Sequence, residues 1–249
     1  MAERRIDVRG VGFDNVTLAE AAARLRTDAA AGKCGTTVFT PNSEIVQMCI
    51  EDEALRQTVN SASLVIPDGI GVVKAARILG TPLKGKVAGV ELGREVLAFA
   101  AQDGLPVFFL GGKPGVAEAA AEKMREAHPG LNVCGARDGY FQKEGPENDA
   151  AVAQVNESGA KVLFVCLGAP TQEKWIAANR GRLPGVQILL GLGGSLDVYA
   201  GTVKRAPKIF IKLGLEWFYR LLKEPWRIGR MMRLPQFYFG TWRYKITKK

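Results

Sequence analysis

Val107-Phe108-Phe109-Leu110, then Gly111-Gly112-Lys113-Pro114-Gly115, then a helical pattern from Val116 to Ala127 is the stretch on which the fold turns. Four apolar residues without polar alternation read as a strand covered on both faces. The glycines and Pro114 end it, and the helix closes at His128-Pro129-Gly130. Working outward, the same order recurs. Thr37–Thr40 runs into Pro41-Asn42-Ser43-Glu44 and a helix starting near Asn42 or Ser43. Leu64–Ile66 stops at Pro67-Asp68-Gly69-Ile70-Gly71, and a short run, Val133-Cys134, follows the first helix. Val162–Leu167 leads through Gly168-Ala169-Pro170 to a helix from Thr171 to about Asn179. Gln187–Leu190 leads into Gly191-Leu192-Gly193-Gly194-Ser195. Near the start, Thr17 and Glu20 form a capping box for a helix through about Ala31. Alternation of buried strands with helices predicts an α/β fold, a mostly parallel sheet with helices on both faces.

Past Gly201 the texture changes. From Val203 to Lys249, 13 Lys and Arg oppose only Glu216 and Glu224, a net of +11, while the preceding 202 residues carry a net −2. The same 47 residues hold 10 of the 20 aromatics, Trp217, Trp226 and Trp242 among them. Pro207, Pro225 and Pro235 are expected to break this tail into short helical pieces. Basic residues interleaved with aromatics suit an anionic membrane surface. They also suit nucleic acid, through phosphate contacts and base stacking.

Other counts narrow the chemistry. The 249 residues are 47% apolar, enough for a substantial core. Cys34, Cys49, Cys134 and Cys166 are widely spaced with no CxxC pair, which reads as free thiols in a reducing compartment. His128 is the lone histidine and lies at a helix end, so a histidine triad or a multi-histidine metal site is disfavoured. The first residues lack the apolar core of a signal peptide, and no window reaches the ~18 apolar residues of a spanning helix. A cytosolic body is expected.

Ligands of open α/β sheets sit beyond the carboxyl ends of the strands. Gly111 and Gly112 let backbone N–H groups approach a phosphate at a helix end, or simply make a tight turn. The motif is neither GxGxxG nor a Walker A sequence, which weighs against ATP hydrolysis and a nicotinamide oxidoreductase. Gly193, in the second glycine loop, either joins it around one diphosphate or permits close helix–strand packing. Asp68, between Pro67 and Gly69, either accepts a proton from a hydroxyl nucleophile or closes an Asx-type turn. Glu173 in a first helical turn is explained by the helix dipole. Gln172 has no equally good structural explanation, and its amide suits a sugar or uracil edge. No Asp-x-Asp pair is present to hold a metal on a diphosphate, so cationic side chains would have to do so. Arg220, Arg227 and Arg230 fall roughly on one helical face, if the helix continues past Pro225, and can fork onto phosphate oxygens.

Taken in order, these segments resemble the WecG/TagA/CpsF glycosyltransferases, glycosyltransferase family 26. The resemblance runs from Thr40-Pro41-Asn42-Ser43-Glu44 through Pro67–Gly71 and Gly168–Ile176. It continues through Asp197–Gly201 and Lys204-Arg205-Ala206-Pro207 to Leu215–Arg230, with its Glu216-Trp217 and Arg220. It implies a Rossmann-like domain over residues 1–202 and a C-terminal helical basic-aromatic appendage over 203–249 that associates with membrane and closes the active site. It implies metal-independent, inverting transfer of N-acetylmannosamine, its uronic acid or a glucose-type sugar from a UDP donor, with no cofactor. The implied acceptor is an undecaprenyl-diphosphate-linked saccharide at the cytoplasmic face of the membrane, with no nucleic acid partner.

By the same resemblance Asp68 is the general base. Thr40 and Asn42 lie near the acceptor sugar, Gln172 lies in the donor site, and Arg220, Arg227 and Arg230 meet the diphosphates. Where the family usually has Arg before a Gly-Xaa-Asp segment, this chain has Lys86-Val87-Ala88-Gly89-Val90-Glu91. Lys86 keeps the charge and loses the bidentate fork; Glu91 keeps the carboxylate on a longer arm. The alternative is a membrane- or nucleic-acid-binding module on a non-catalytic body, which would show no saturable UDP binding.

Overall fold

The computed structural model describes residues 5–203, 207, 210, 218–219 and 233–247. Two strands, β1 (Ile6–Val8) and β2 (Val11–Phe13), form an antiparallel hairpin. Then follow α1 (Leu18–Ala30), β3 (Thr36–Phe39), α2 (Ser43–Glu51), α3 (Glu53–Asn60), β4 (Leu64–Val65), α4 (Ile70–Leu79) and α5 (Gly89–Asp103). The second half contains β5 (Val107–Gly111), α6 (Val116–Ala127), β6 (Val133–Arg137), α7 (Pro146–Glu157) and β7 (Val162–Cys166). It continues with α8 (Thr171–Asn179), β8 (Ile188–Gly191) and α9 (Ser195–Tyr199). The last described element is α10 (Arg233–Thr247).

Six strands form one sheet in the order β4-β3-β8-β7-β5-β6, and every neighbouring pair is parallel. The α/β expectation is met, and Val107–Leu110 lies in a fully buried strand, paired on both sides between β7 and the edge strand β6. Side chains alternate strictly between the faces, as the strand period of two requires. Phe108, Leu110, Leu163, Val165 and Leu189 point to a layer made by α2, α3, α4, α7 and α8. Phe109, Val162, Phe164, Ile188 and Leu190 point to a layer made by α1, α5, α6 and α9. Phe109 and Phe164 meet edge to face with centroids 5.2 Å apart. Each such ring, fully buried, contributes roughly 1.5–3 kcal/mol.

The chain moves outward from β5 to β6 by way of α6, and the opposite way from β7 to β8 by way of α8. Right-handed crossovers in opposite directions put these two helices on opposite faces. The exits of β5 and β7 therefore diverge, which opens a crevice at the carboxyl edge. Gly111 makes the junction tight. Its φ is +136°, and a Cβ there would collide with the carbonyl of Cys166 on β7.

Of the prolines expected to break the tail, Pro225 lies outside the described residues, and Pro235 falls at the start of a helical piece. It lies in the first turn of α10, where a missing N–H costs nothing. The helix packs on α2 and α4, and Phe237 is 0% exposed within the same core as Phe108 and Trp175. Arg9, in the β1–β2 turn with φ +58°, reaches over the Tyr244 ring at 5.4 Å. No described helix is long and apolar enough to cross a membrane.

Candidate active site

The strand exits sort the expected residues into two groups. On one side lie the exits of the neighbouring strands β3 and β4. Thr40 is buried, and its hydroxyl donates to the Gly191 carbonyl at 3.2 Å. Asn42 caps α2, its Oδ1 accepting from Ile45 N at 3.0 Å. Asp68 follows β4 and is half-buried; its N–H donates to the Pro41 carbonyl at 3.3 Å, tying the two exits together. Val87 N–H donates to the Pro67 carbonyl at 2.9 Å, so half-buried Lys86 is held beside Pro67 and Asp68. Gly71 has no side chain because the space is taken by Ser43 Oγ, with the Tyr238 hydroxyl beside it.

On the other side are the glycine turns. Gly112 N–H donates to the Cys166 carbonyl at 3.2 Å, and the Gly112 carbonyl accepts from Gly139 N–H at 2.9 Å. The Gly111-Gly112 turn and the Gly193 loop are not neighbours, since the exit of β7 lies between them. From β4 to β5 is four strand spacings, roughly 19 Å, so the two groups line the two ends of one long edge. The β8 exit lies between them, joined to the β3 side by the Thr40–Gly191 hydrogen bond.

Gln172 and Glu173 differ from expectation. Gln172 is 2% exposed, and its Oε1 accepts from Gly193 N–H at 2.8 Å. Its Nε2 donates to Glu173 Oε1 at 2.9 Å. The amide thus has a full structural role, holding the β8 exit against α8. Glu173 is not a solvated, dipole-stabilised charge: it is 1% exposed, and burial pushes its carboxyl above the usual carboxylate range. Lower in the same helix, Trp175 Nε1 donates to Asn148 Oδ1 at 2.7 Å, and Asn148 Nδ2 donates to Asn179 Oδ1 at 3.1 Å. The tryptophan after the Gln-Glu pair therefore anchors α8 within the core.

Arg220, Arg227 and Arg230 lie outside the described residues. Among the described residues no three His, Cys, Asp or Glu gather into a metal-binding group. Cys49 and Cys166 are buried free thiols, and burial pushes both up to about 12, so neither is a nucleophile near neutral pH.

Two aromatic residues join the site that sequence reasoning missed. Tyr140 is 70% exposed on the turn after β6, next to Gly139, which is bonded to Gly112. The turn is rigid. Tyr140 N–H donates to Asp138 Oδ1 at 2.7 Å, and Lys143 Nζ donates to the Gly139 carbonyl at 2.9 Å and also to the Phe141 carbonyl. The flat Tyr140 ring at the rim of the β5 exit has the shape to stack on a base. Only Val133-Cys134 reads as a strand in the sequence, so the exit at Arg137 carried no signal. Tyr238 comes to Gly71 from α10, a placement with no local signature.

The glycosyltransferase family model WecG/TagA/CpsF matches residues 6–249. An N-acetylglucosaminyldiphosphoundecaprenol N-acetyl-beta-D-mannosaminyltransferase of Bacillus subtilis (strain 168) is 35% identical over 217 residues, 87% of this chain and 83% of the relative. The enzyme of that name from Staphylococcus aureus (strain MW2) is 35% identical over 245 residues, 98% of this chain and 92% of the relative. With near-complete coverage on both sides, and an α/β sheet bearing the expected residues at its carboxyl edge, the chain belongs to the WecG/TagA/CpsF family of glycosyltransferases.

Proposed function

We propose that this protein transfers a sugar from a UDP donor to an undecaprenyl-diphosphate-linked saccharide, with inversion and without a divalent metal. The sugar is N-acetylmannosamine, its uronic acid or a glucose-type sugar. Transfer is a single in-line displacement. Asp68 accepts the proton of the acceptor hydroxyl as that oxygen attacks the anomeric carbon. The departing UDP gains charge, which Lys86, the glycine-loop N–H groups and Arg220, Arg227 and Arg230 stabilise. Tyr140 stacks on the uracil. The observation that carries this reading is the pinning of Asp68, through Pro41 and Pro67, at the junction of two strand exits beside Thr40, Asn42 and Lys86. The relatives, named for adding N-acetylmannosamine to a lipid-diphosphate acceptor, support the substrate class.

The same reading places the protein in the cytoplasm, bound peripherally to the inner face of the membrane. The outward face of α10 supports it. Phe239 is 77%, Trp242 53% and Ile246 71% exposed, at helical spacing, with Arg243 and Lys245 beside them. Such a face settles at the headgroup level of an anionic bilayer. The test is a panel of UDP-sugars offered with a polyprenyl-diphosphate acceptor in EDTA, with products read by mass spectrometry. One sugar added per acceptor is expected, together with saturable UDP binding by calorimetry that Tyr140→Ala weakens. Activity that EDTA abolishes and Mg²⁺ or Mn²⁺ restores would overturn the metal-free mechanism.

A further inference from the structure

Glu173 sits where a carboxyl group is costly. It is 1% exposed on the first turn of α8, and its Oε2 has no hydrogen-bond partner among the described residues. Trp175 and Asn179 on the same helix show the ordinary solution, because they and Asn148 of α7 satisfy one another. A buried, isolated carboxylate is disfavoured, and burial pushes the group's ionisation above its ordinary value. Its hydrogen bond with Gln172 has a consequence further along the chain. Gly193 N–H can only donate, which turns Gln172 Oε1 toward the loop and leaves Nε2 facing Glu173. Glu173 Oε1 then fixes the amide in this orientation.

The loop so held is the exit of β8. Its Gly191 carbonyl accepts from Thr40, its Gly193 N–H donates to Gln172, and Ser195 Oγ donates to the Leu192 carbonyl at 2.7 Å. It stands between the Asp68 side of the edge and the Gly111-Gly112 side, where donor and acceptor would meet. We propose that Glu173 is a positioning residue: through Gln172 it sets the Gly191–Ser195 loop against which the donor sugar lies. The consequence for catalysis rests on the UDP-sugar reading above; the consequence for the loop does not.

Three variants test this. Glu173→Ala removes the acceptor, Glu173→Met removes it while filling the volume, and Glu173→Gln keeps an acceptor oxygen in place. Two readouts are taken on the full chain: amide hydrogen exchange across Gly191–Ser195, and KM and kcat for the UDP-sugar. Losing one buried hydrogen bond should speed exchange at Gly193 about five- to tenfold in the Ala and Met variants. The same variants should raise KM for the UDP-sugar severalfold, while the Kd for UDP alone stays at the parent value. Glu173→Gln should restore both. If the Ala variant does not fold, the Met variant carries the comparison. Parental exchange at Gly193 in Glu173→Met, or a Gln variant as impaired as Met, would overturn the proposal. Exchange that responds as expected in a protein that turns over no UDP-sugar would leave the positioning intact and remove the UDP-sugar reading instead.

Discussion

Single residues here are decided by what surrounds them. Asp68 reads from sequence as either a base or a turn residue. The structure leaves the residue half-buried, its N–H donating to the Pro41 carbonyl and the preceding Pro67 carbonyl accepting from Val87. Asp68→Asn should reduce kcat by about 10²–10⁴-fold, the usual contribution of a general base, with UDP affinity unchanged by calorimetry. Wild-type turnover would refute the assignment. Glu173 makes a different prediction, in stability. In the unfolded chain it ionises near the usual 4.5; in the folded chain burial holds the proton to higher pH. Between those values the folded state binds more protons, so stability falls as pH rises through the window. Glu173→Gln removes that loss. Its melting temperature should match the parent near pH 4 and exceed it increasingly toward neutral pH; a gap independent of pH would contradict this account. Neither residue's environment is visible locally, because burial of Glu173 is imposed by α2, β8 and the sheet rather than by its neighbours in sequence.

At the scale of elements, legibility follows the strength of the local pattern. The βα unit at Val107–Ala127 is readable because a fully buried strand is uniformly apolar and its helix shows a clear apolar face. Helix α8, from Thr171 to Asn179, was bounded correctly for a related reason: Pro170 and the residues after Asn179 punctuate it. β6 is different. As an edge strand its middle is only partly buried, and Gly135 and Arg137 hide it. Its exit turn with Tyr140 was hidden with it. α10 shows a further limit. Its apolar residues face two ways, Phe237 inward and Phe239, Trp242 and Ile246 outward, so composition alone suggested one surface role for all of them. Phe237→Ala should lower stability by about 3–5 kcal/mol, read from the urea midpoint, since it opens a cavity beneath α10. A loss below about 1 kcal/mol would mean that the helix is a loosely attached arm.

For the whole molecule, the basic-aromatic tail carries both a core residue and the exposed stripe proposed to meet the membrane, and removing the tail cannot separate the two. Deleting everything after Thr202 would take Phe237 out of the core together with the surface stripe. Replacing Phe239, Trp242 and Ile246 with serine is the cleaner test. Binding to anionic vesicles should weaken at least about tenfold from lost apolar burial, with activity on a soluble acceptor retained. Unchanged vesicle sedimentation would remove α10 from the membrane contact. The sequence by itself determined the class of fold and where the strand ends fall, because both follow from local features: periodicity and punctuation by glycine and proline. Only the tertiary structure decided which strand exits are neighbours, that β7 separates the two glycine turns, that Gln172 faces inward, and that Tyr238 reaches Gly71. Those depend on strand order and helix docking, which arise from long-range packing of residues far apart in the chain and leave no mark on any short segment.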